Sequence, residues 1–249
     1  MKGRGWHVAV MVATLGMGLA RHASAQTPAA APAAPPKHEG SAEFAFVGTG
    51  GNTSTRTVGL SGDLTLRPSA WSYRFKSSYV QNQSKGVVSA RTFTVSARAE
   101  RQFKSKTSVF GQVAYLRDIF SGISDRSVVE GGVAHTWEKG RQSLVVDASA
   151  GYANEQRLVP PNLSTGLVGG GGHYKLKFGT GSDFTDDLRY TKSIQTGAGY
   201  RADHVAAVTA KINTALSLKL SNTIRYVSAP VAGFKRTDTI TSMALVVKF

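Results

Sequence analysis

The chain contains no cysteine. Disulfide frameworks and thiolate metal centres are therefore excluded. It also lacks an apolar run long enough to cross a bilayer as a helix. The run at 8–20 falls short of the ~20 residues such a span needs. Acidic residues are scarce: 15 Asp and Glu stand against 30 Lys and Arg, a formal charge of +15. Past residue 41 no window keeps a 3.6-residue apolar period between helix caps, so helices are excluded as the main element.

What is present at the start is an export signal. Lys2 and Arg4 form a basic head, the apolar run follows, and Ala23-Ser24-Ala25 places small residues where a signal peptidase cuts. Residues 1–25 are read as a cleaved signal peptide. Residues 26–40 are rich in Ala and Pro and offer little large apolar surface to offset the entropy of ordering. This stretch is read as a flexible leader. One domain remains, 41–249. An exported chain rarely meets nucleic acid, so its positive charge points to lipopolysaccharide phosphates or small anionic solutes instead.

Within that domain the apolar residues alternate, and charge sorts with the alternation. Trp71, Tyr73, Phe75 and Tyr79 interleave with Ser72, Arg74, Lys76 and Ser78. Leu144, Val146, Ala148 and Ala150 oppose Val145, Asp147 and Ser149. Leu216, Leu218, Leu220 and Ile224 oppose Ser217, Lys219, Ser221, Thr223 and Arg225. Charged groups cannot face hydrocarbon cheaply, so a spanning sheet must close on itself and turn them inward. The expectation is all-β: a closed antiparallel transmembrane β-barrel of about twelve strands, an even number as such barrels require. Asp186 is the clearest breach of the sorting. A soluble sandwich also alternates, but Gly and Ala at many outward positions here would fill a dry core poorly.

Connections alternate in length, which fits short periplasmic turns and longer external loops. Short ones are expected near 67–70, 104–107, 138–142, 179–182 and 213–215. Longer ones are expected near 48–55, 81–90, 118–126, 154–165, 192–201 and 228–237. Aromatic rings favour the headgroup level. Trp71, Phe103, Phe110, Trp137, Phe178, Phe184 and Phe249 are placed at the short-turn ends. Tyr79, Tyr115, Tyr152, Tyr190 and Tyr226 are placed nearer the long loops.

The stretch Phe44-Ala45-Phe46-Val47-Gly48-Thr49-Gly50-Gly51-Asn52-Thr53 resembles the signature of the salt-induced outer membrane protein family, and the closing strand ending at Phe249 fits too. The resemblance runs from about Ser41 to Phe249. It implies an outer-membrane barrel of unknown function with a link to salt or envelope stress, and no catalytic residues to carry over. A terminal Phe on an alternating strand also resembles the signal read by the barrel-assembly machinery, a partner during biogenesis. Outer-membrane lipid and lipopolysaccharide are the expected partners; Lys85, Arg91, Arg157, Lys235 and Arg236 would permit lipopolysaccharide contacts, though solvated loops account for them as well.

The Gly-rich stretch at 48–53 lacks the Lys and following helix of a phosphate-binding loop, so it reads as a hairpin. Gly169 to Gly172 read as strand. No cofactor or metal site is expected. The candidate functional residues line the lumen: Arg74, Lys76, Arg98, Glu100, Asp147, Lys175, Lys177, Asp187, Arg189, Lys211, Lys219 and Arg225. Two readings of them stay open, a salt-bridged plug that stiffens the barrel and a narrow pore with anion bias. An alternative class is a lipid-modifying enzyme, which needs a Ser, a His and a polar orienter at the lipid-facing rim. His204 faces outward there, with Ser193 and Asp203 near it in sequence, but Asp203 points to the other face and Ser193 falls in an expected loop.

Overall fold

The computed structural model describes residues 37–49 and 55–249. Residues 1–36, read above as signal peptide and most of the leader, and residues 50–54, with Asn52 and Thr53 of the family signature, lie outside the described residues. Twelve strands follow in order: β1 His38–Thr49, β2 Thr55–Leu66, β3 Trp71–Ser84, β4 Val87–Lys104, β5 Thr107–Asp118, β6 Ile123–Lys139, β7 Gln142–Arg157, β8 Leu163–Phe178, β9 Ser182–Ser193, β10 Tyr200–Lys211, β11 Leu216–Val227 and β12 Thr237–Lys248. Each pairs antiparallel with its sequence neighbours, and β1 pairs with β12 to close the barrel. The seam is completed by two reciprocal backbone hydrogen bonds between Gly40 and Phe249, 2.9 and 3.0 Å. Strand β1 starts three residues before the expected boundary, and Glu39 on it pairs with Arg67 at 2.8 Å.

The molecule is greasy on the outside. Phe44, Leu60, Phe75, Val113, Val129, Val133, Leu188, Leu220 and Met243 are all exposed, on the parity that the alternation assigns outward. On β11 the outward set runs from Leu216 to Tyr226. Ten residues at ~3.3 Å each, tilted by ~40°, give a belt ~25 Å tall. Tyr190, Tyr200 and Tyr226 bound it at one end, their ring centroids 5.3 and 5.6 Å apart. Trp71 stacked on Tyr73, and His135 edge-on to Trp137 at 4.4 Å, bound it at the other.

Two expected loops are strand instead. β3 and β4 continue pairing through 81–90 and are joined by a two-residue turn, Lys85 and Gly86, both with positive φ. β5 and β6 are joined across 118–126 by a single 3-10 turn, Ile119–Ser121. Polar residues at these ends look like loop in sequence, but pairing satisfies their backbone groups at no cost in water. Phe110 is a second correction. It lies on the inward parity between Val109 and Gly111, so it is buried inside, under the Arg98 guanidinium at 3.6 Å from the ring centroid.

Candidate functional site: the charged lumen

Twelve strands enclose a wider interior than the eight of a side-chain-filled barrel. The inward parity fills it with ions, arranged in tiers. At the short-turn end long contacts stand beside short ones. Arg74 and Lys76 on β3 share one carboxylate, Asp63 on β2, at 3.7 and 3.8 Å. Lys175 stands 3.6 Å from Asp183. His173 meets Asp187, Arg98 meets Glu100 at 2.9 Å, and Lys219 on β11 reaches Glu43 on β1 at 2.8 Å. Lys177 and Lys211 continue the same parity and end exposed at the rim.

The middle tier is tighter. Arg189 on β9 reaches past the intervening strands to Asp147 on β7 and Glu130 on β6, and also donates to Ser149 Oγ at 2.8 Å. Gly171 makes room for this pairing. A Cβ on it would lie 2.9 Å from Asp147 Oδ2 and 3.4 Å from Arg189 Nη1.

At the long-loop end the lumen is sealed. Glu155 on β7 is caged by three guanidiniums: Arg126 at 2.7 Å, Arg157 at 2.7 Å and Arg201 at 2.6 Å. Its side chain is 0% exposed and that of Arg126 is 9% exposed. Arg225 on β11 stands 3.8 Å from Asp118 on β5, on the opposite wall. Above them the connection 228–236, which joins β11 to β12, folds over to the turn between β5 and β6. Val231 and the Phe234 ring both pack so close to Gly122 that a Cβ there would meet each at 2.8 Å. Gly122 has φ +82° and can adopt it only because it lacks that atom. Ser121 Oγ donates to Asp238 across the same gap, and Ile123 and Val231 are buried beneath.

Water access therefore falls along the barrel. At the short-turn end the Lys76 side chain is 53% exposed and that of Asp187 45%. About 20 Å on, the Glu155 carboxylate is dry, while Arg225 at the same end stays 31% exposed.

The structure thus brings Arg74, Lys76, Lys175, Asp187 and Lys219 to an open cup, Asp147 and Arg189 to a middle clamp, and Arg225 to the seal. Sequence reasoning missed Arg126, Glu155, Arg157, Arg201, Asp118 and Glu43. The signal was the inward parity of β7, carried through Ala153 and Glu155 to Arg157. Arg157 is accordingly not an exposed loop cation available to lipopolysaccharide; it is spent on Glu155.

The histidine reading also changes. His204 faces outward, and its Nε2 is 3.1 Å from Asp186, on the same face of the next strand. Ser193 and Asp203 carry the inward parity of β9 and β10, so the wall of the barrel lies between them and His204. Among the described residues no three metal-ligating side chains cluster.

Residues 42–249 match the family described as "Protein of unknown function, DUF481". The chain belongs to that family. The matched segment nearly coincides with the span over which the sequence resembles the salt-induced outer membrane proteins. No curated protein matches the chain. Among solved structures, this DUF481 barrel is similar to the NanC porin, with 7% identity, 84% of this chain and 97% of that chain covered, and a TM-score of 0.49. It is also similar to the translocator domain of the autotransporter NalP from Neisseria meningitidis, with 10% identity, coverage of 88% and 90%, and a TM-score of 0.47. For the KdgM porin the figures are 13%, 85%, 98% and 0.42.

Proposed function

We propose that this DUF481 barrel sits in the bacterial outer membrane as a narrow, normally closed permeability path for small anionic solutes. The observation that carries the reading is the graded water access of the lumen, from a wet cup lined by Lys76 and Asp187 to the dry cage around Glu155. A barrel that only spans and stiffens gains nothing from a hydrated half. A soluble barrel would not carry a ~25 Å apolar belt between two aromatic girdles.

The cup favours anions. Arg74 and Lys76 share a single carboxylate at contact distances too long for a direct hydrogen bond, so their charge stays hydrated and available. Lys177 and Lys211 add exposed cations at the entrance. Rings of Lys and Arg at a constriction select anions by the local potential they set up. The seal is the opposite kind of structure. Around Glu155 its charges are buried and paired at short distance, the Arg225–Asp118 contact is looser at 3.8 Å, and the seal opens only if the 228–236 connection lifts and Arg225 leaves Asp118.

A lipid-modifying enzyme would need a nucleophilic hydroxyl on His204. His204 Nε2 is held by Asp186, which would leave Nδ1 for a hydroxyl, but Ser193, the hydroxyl offered by the sequence, lies on the other face. The channel reading has no catalytic step.

The test is conductance in planar bilayers with the purified mature barrel. Rare, small openings with an anion-directed reversal potential in a salt gradient are expected. A silent bilayer that stays silent after removal of 228–236 would overturn the channel role and leave a structural barrel.

A further inference from the structure

We infer that the lipid-facing surface of β9 to β12 is an interface with a second copy of this chain, held by polar side chains at acyl-chain depth. The inference rests on the outer-membrane reading above.

The surface departs from the rest of the belt. One hydrogen-bonded row across four strands reads Asp186, Ala206, Asn222, Thr241, all facing outward. His204, one step along β10, donates from Nε2 to Asp186 at 3.1 Å, and Asn222 Nδ2 donates to Thr241 Oγ1 at 2.9 Å. Asp186 is the one charged side chain in the middle of the outward belt among the described residues. Beside Asp186 and His204, a shallow groove of about 190 Å³ is lined by Phe184, Ala206, Val208, Leu220, Asn222 and Thr241, with Ala207 and Ser221 at its floor. On β10 the small Ala202, Ala206 and Ala210 alternate with His204, level with Leu188 and Ile224, and Val208, level with Phe184 and Leu220.

Depth decides what can lie there. The Tyr190 and Tyr226 girdle is level with Ala202, two rows above Asp186; Phe184 is one row below it. Lipid headgroups sit at the girdles. Between them a lipid offers only methylenes, so beyond the Asp186–His204 and Asn222–Thr241 contacts the second carboxylate oxygen, the other ring nitrogen and the amide oxygen gain nothing from it. An ionisable residue at that depth is expected to meet polar protein groups. The patch is self-complementary: Asp186 accepts, while His204, Asn222 and Thr241 can donate. A two-fold axis along the membrane normal needs this property, since the same residues must serve both sides. Such an axis would pass near Ala206, at the centre of the row, where the small methyl lets two walls approach.

The absence of native cysteine makes the test direct. Ala206→Cys and Ala97→Cys, the second outward on β4 at the opposite side of the barrel, are each expressed in the full chain. Both are fractionated with outer membranes before oxidation. A disulfide-linked dimer of twice the chain mass is expected from Ala206→Cys and not from Ala97→Cys. Adding Asp186→Leu and His204→Leu to Ala206→Cys should reduce that dimer at least tenfold while the barrel stays folded, as judged by its heat-dependent shift in gel mobility. Membrane-inserted chains that remain monomeric would overturn the interface alone. A dimer unchanged by the two Leu substitutions, a product of another mass, or equal linking at Ala97 would do the same. Chains recovered outside the membrane would instead overturn the location on which the inference rests.

Discussion

Arg225 on β11 and Asp118 on β5 approach to 3.8 Å from opposite walls of the barrel, six strands apart around its circumference. Asp118 is held for this role from its own side: its carboxylate accepts from Thr92 Oγ1 at 3.1 Å and from the Ser121 backbone N–H at 3.2 Å. Replacing Arg225 by Met keeps the stem and removes the charge. Openings in planar bilayers should become several-fold more frequent, with single-channel size little changed.

Glu155 answers a different question, that of stability. Glu155→Gln would leave Arg126, Arg157 and Arg201 facing one another in a dry pocket. Removing one partner of a buried ion pair costs about 3–5 kcal/mol. The variant should unfold at clearly lower temperature in detergent micelles. Equal stability would mean that water reaches the cage.

Lys76 tests selectivity. Lys76→Glu places a third carboxylate beside Asp63 and Asp187 in the wet cup. The reversal potential in a salt gradient should move toward the cation side, and Lys76→Gln should move it part of the way. No movement would place the selective constriction elsewhere.

Gly122→Val tests the strap. The new side chain would collide with Val231 and Phe234, and the backbone there has φ +82°, which a β-branched residue adopts poorly. The 228–236 connection should be displaced, and trypsin should cut faster after Lys235 and Arg236 in intact cells displaying the barrel. An unchanged cleavage rate would show that the connection is already loose.

The belt makes its own prediction. Leu220→Arg should cost about 2–4 kcal/mol in folding into bilayers, whereas Gln81→Arg, beyond the girdle, should cost about 0–1. Urea titration of folding into lipid vesicles measures both.

How much of this was readable from residues alone can be seen by comparing β7 with the 228–236 connection. On β7 a period of two with charge on one side is enough to assign Asp147 and Ser149 inward and Leu144 and Val146 outward, because hydrocarbon penalises any other arrangement. The same rule would have assigned Glu155 and Arg157, had the strand been followed past the aromatic girdle. Beyond that level water solvates either face and the alternation loses its meaning as a signal. The fold of 228–236 over Gly122 has no periodic signature at all, since it depends on a contact between segments six strands apart. Asp186 was visible as a breach of pattern, but its partner was not: pairing His204 with it requires the register of β9 against β10, which a hydrophobic count does not specify.

The lop-sided wetting of the lumen has an electrical consequence. A cup that is hydrated at one mouth and walled at the other is a rectifier. Voltage of one sign drives anions into the basic cup and crowds them against the cage; the other sign empties it. Barrels inserted in one orientation should therefore pass unequal currents at equal and opposite potentials, and the direction of the larger current reports which way they entered the bilayer.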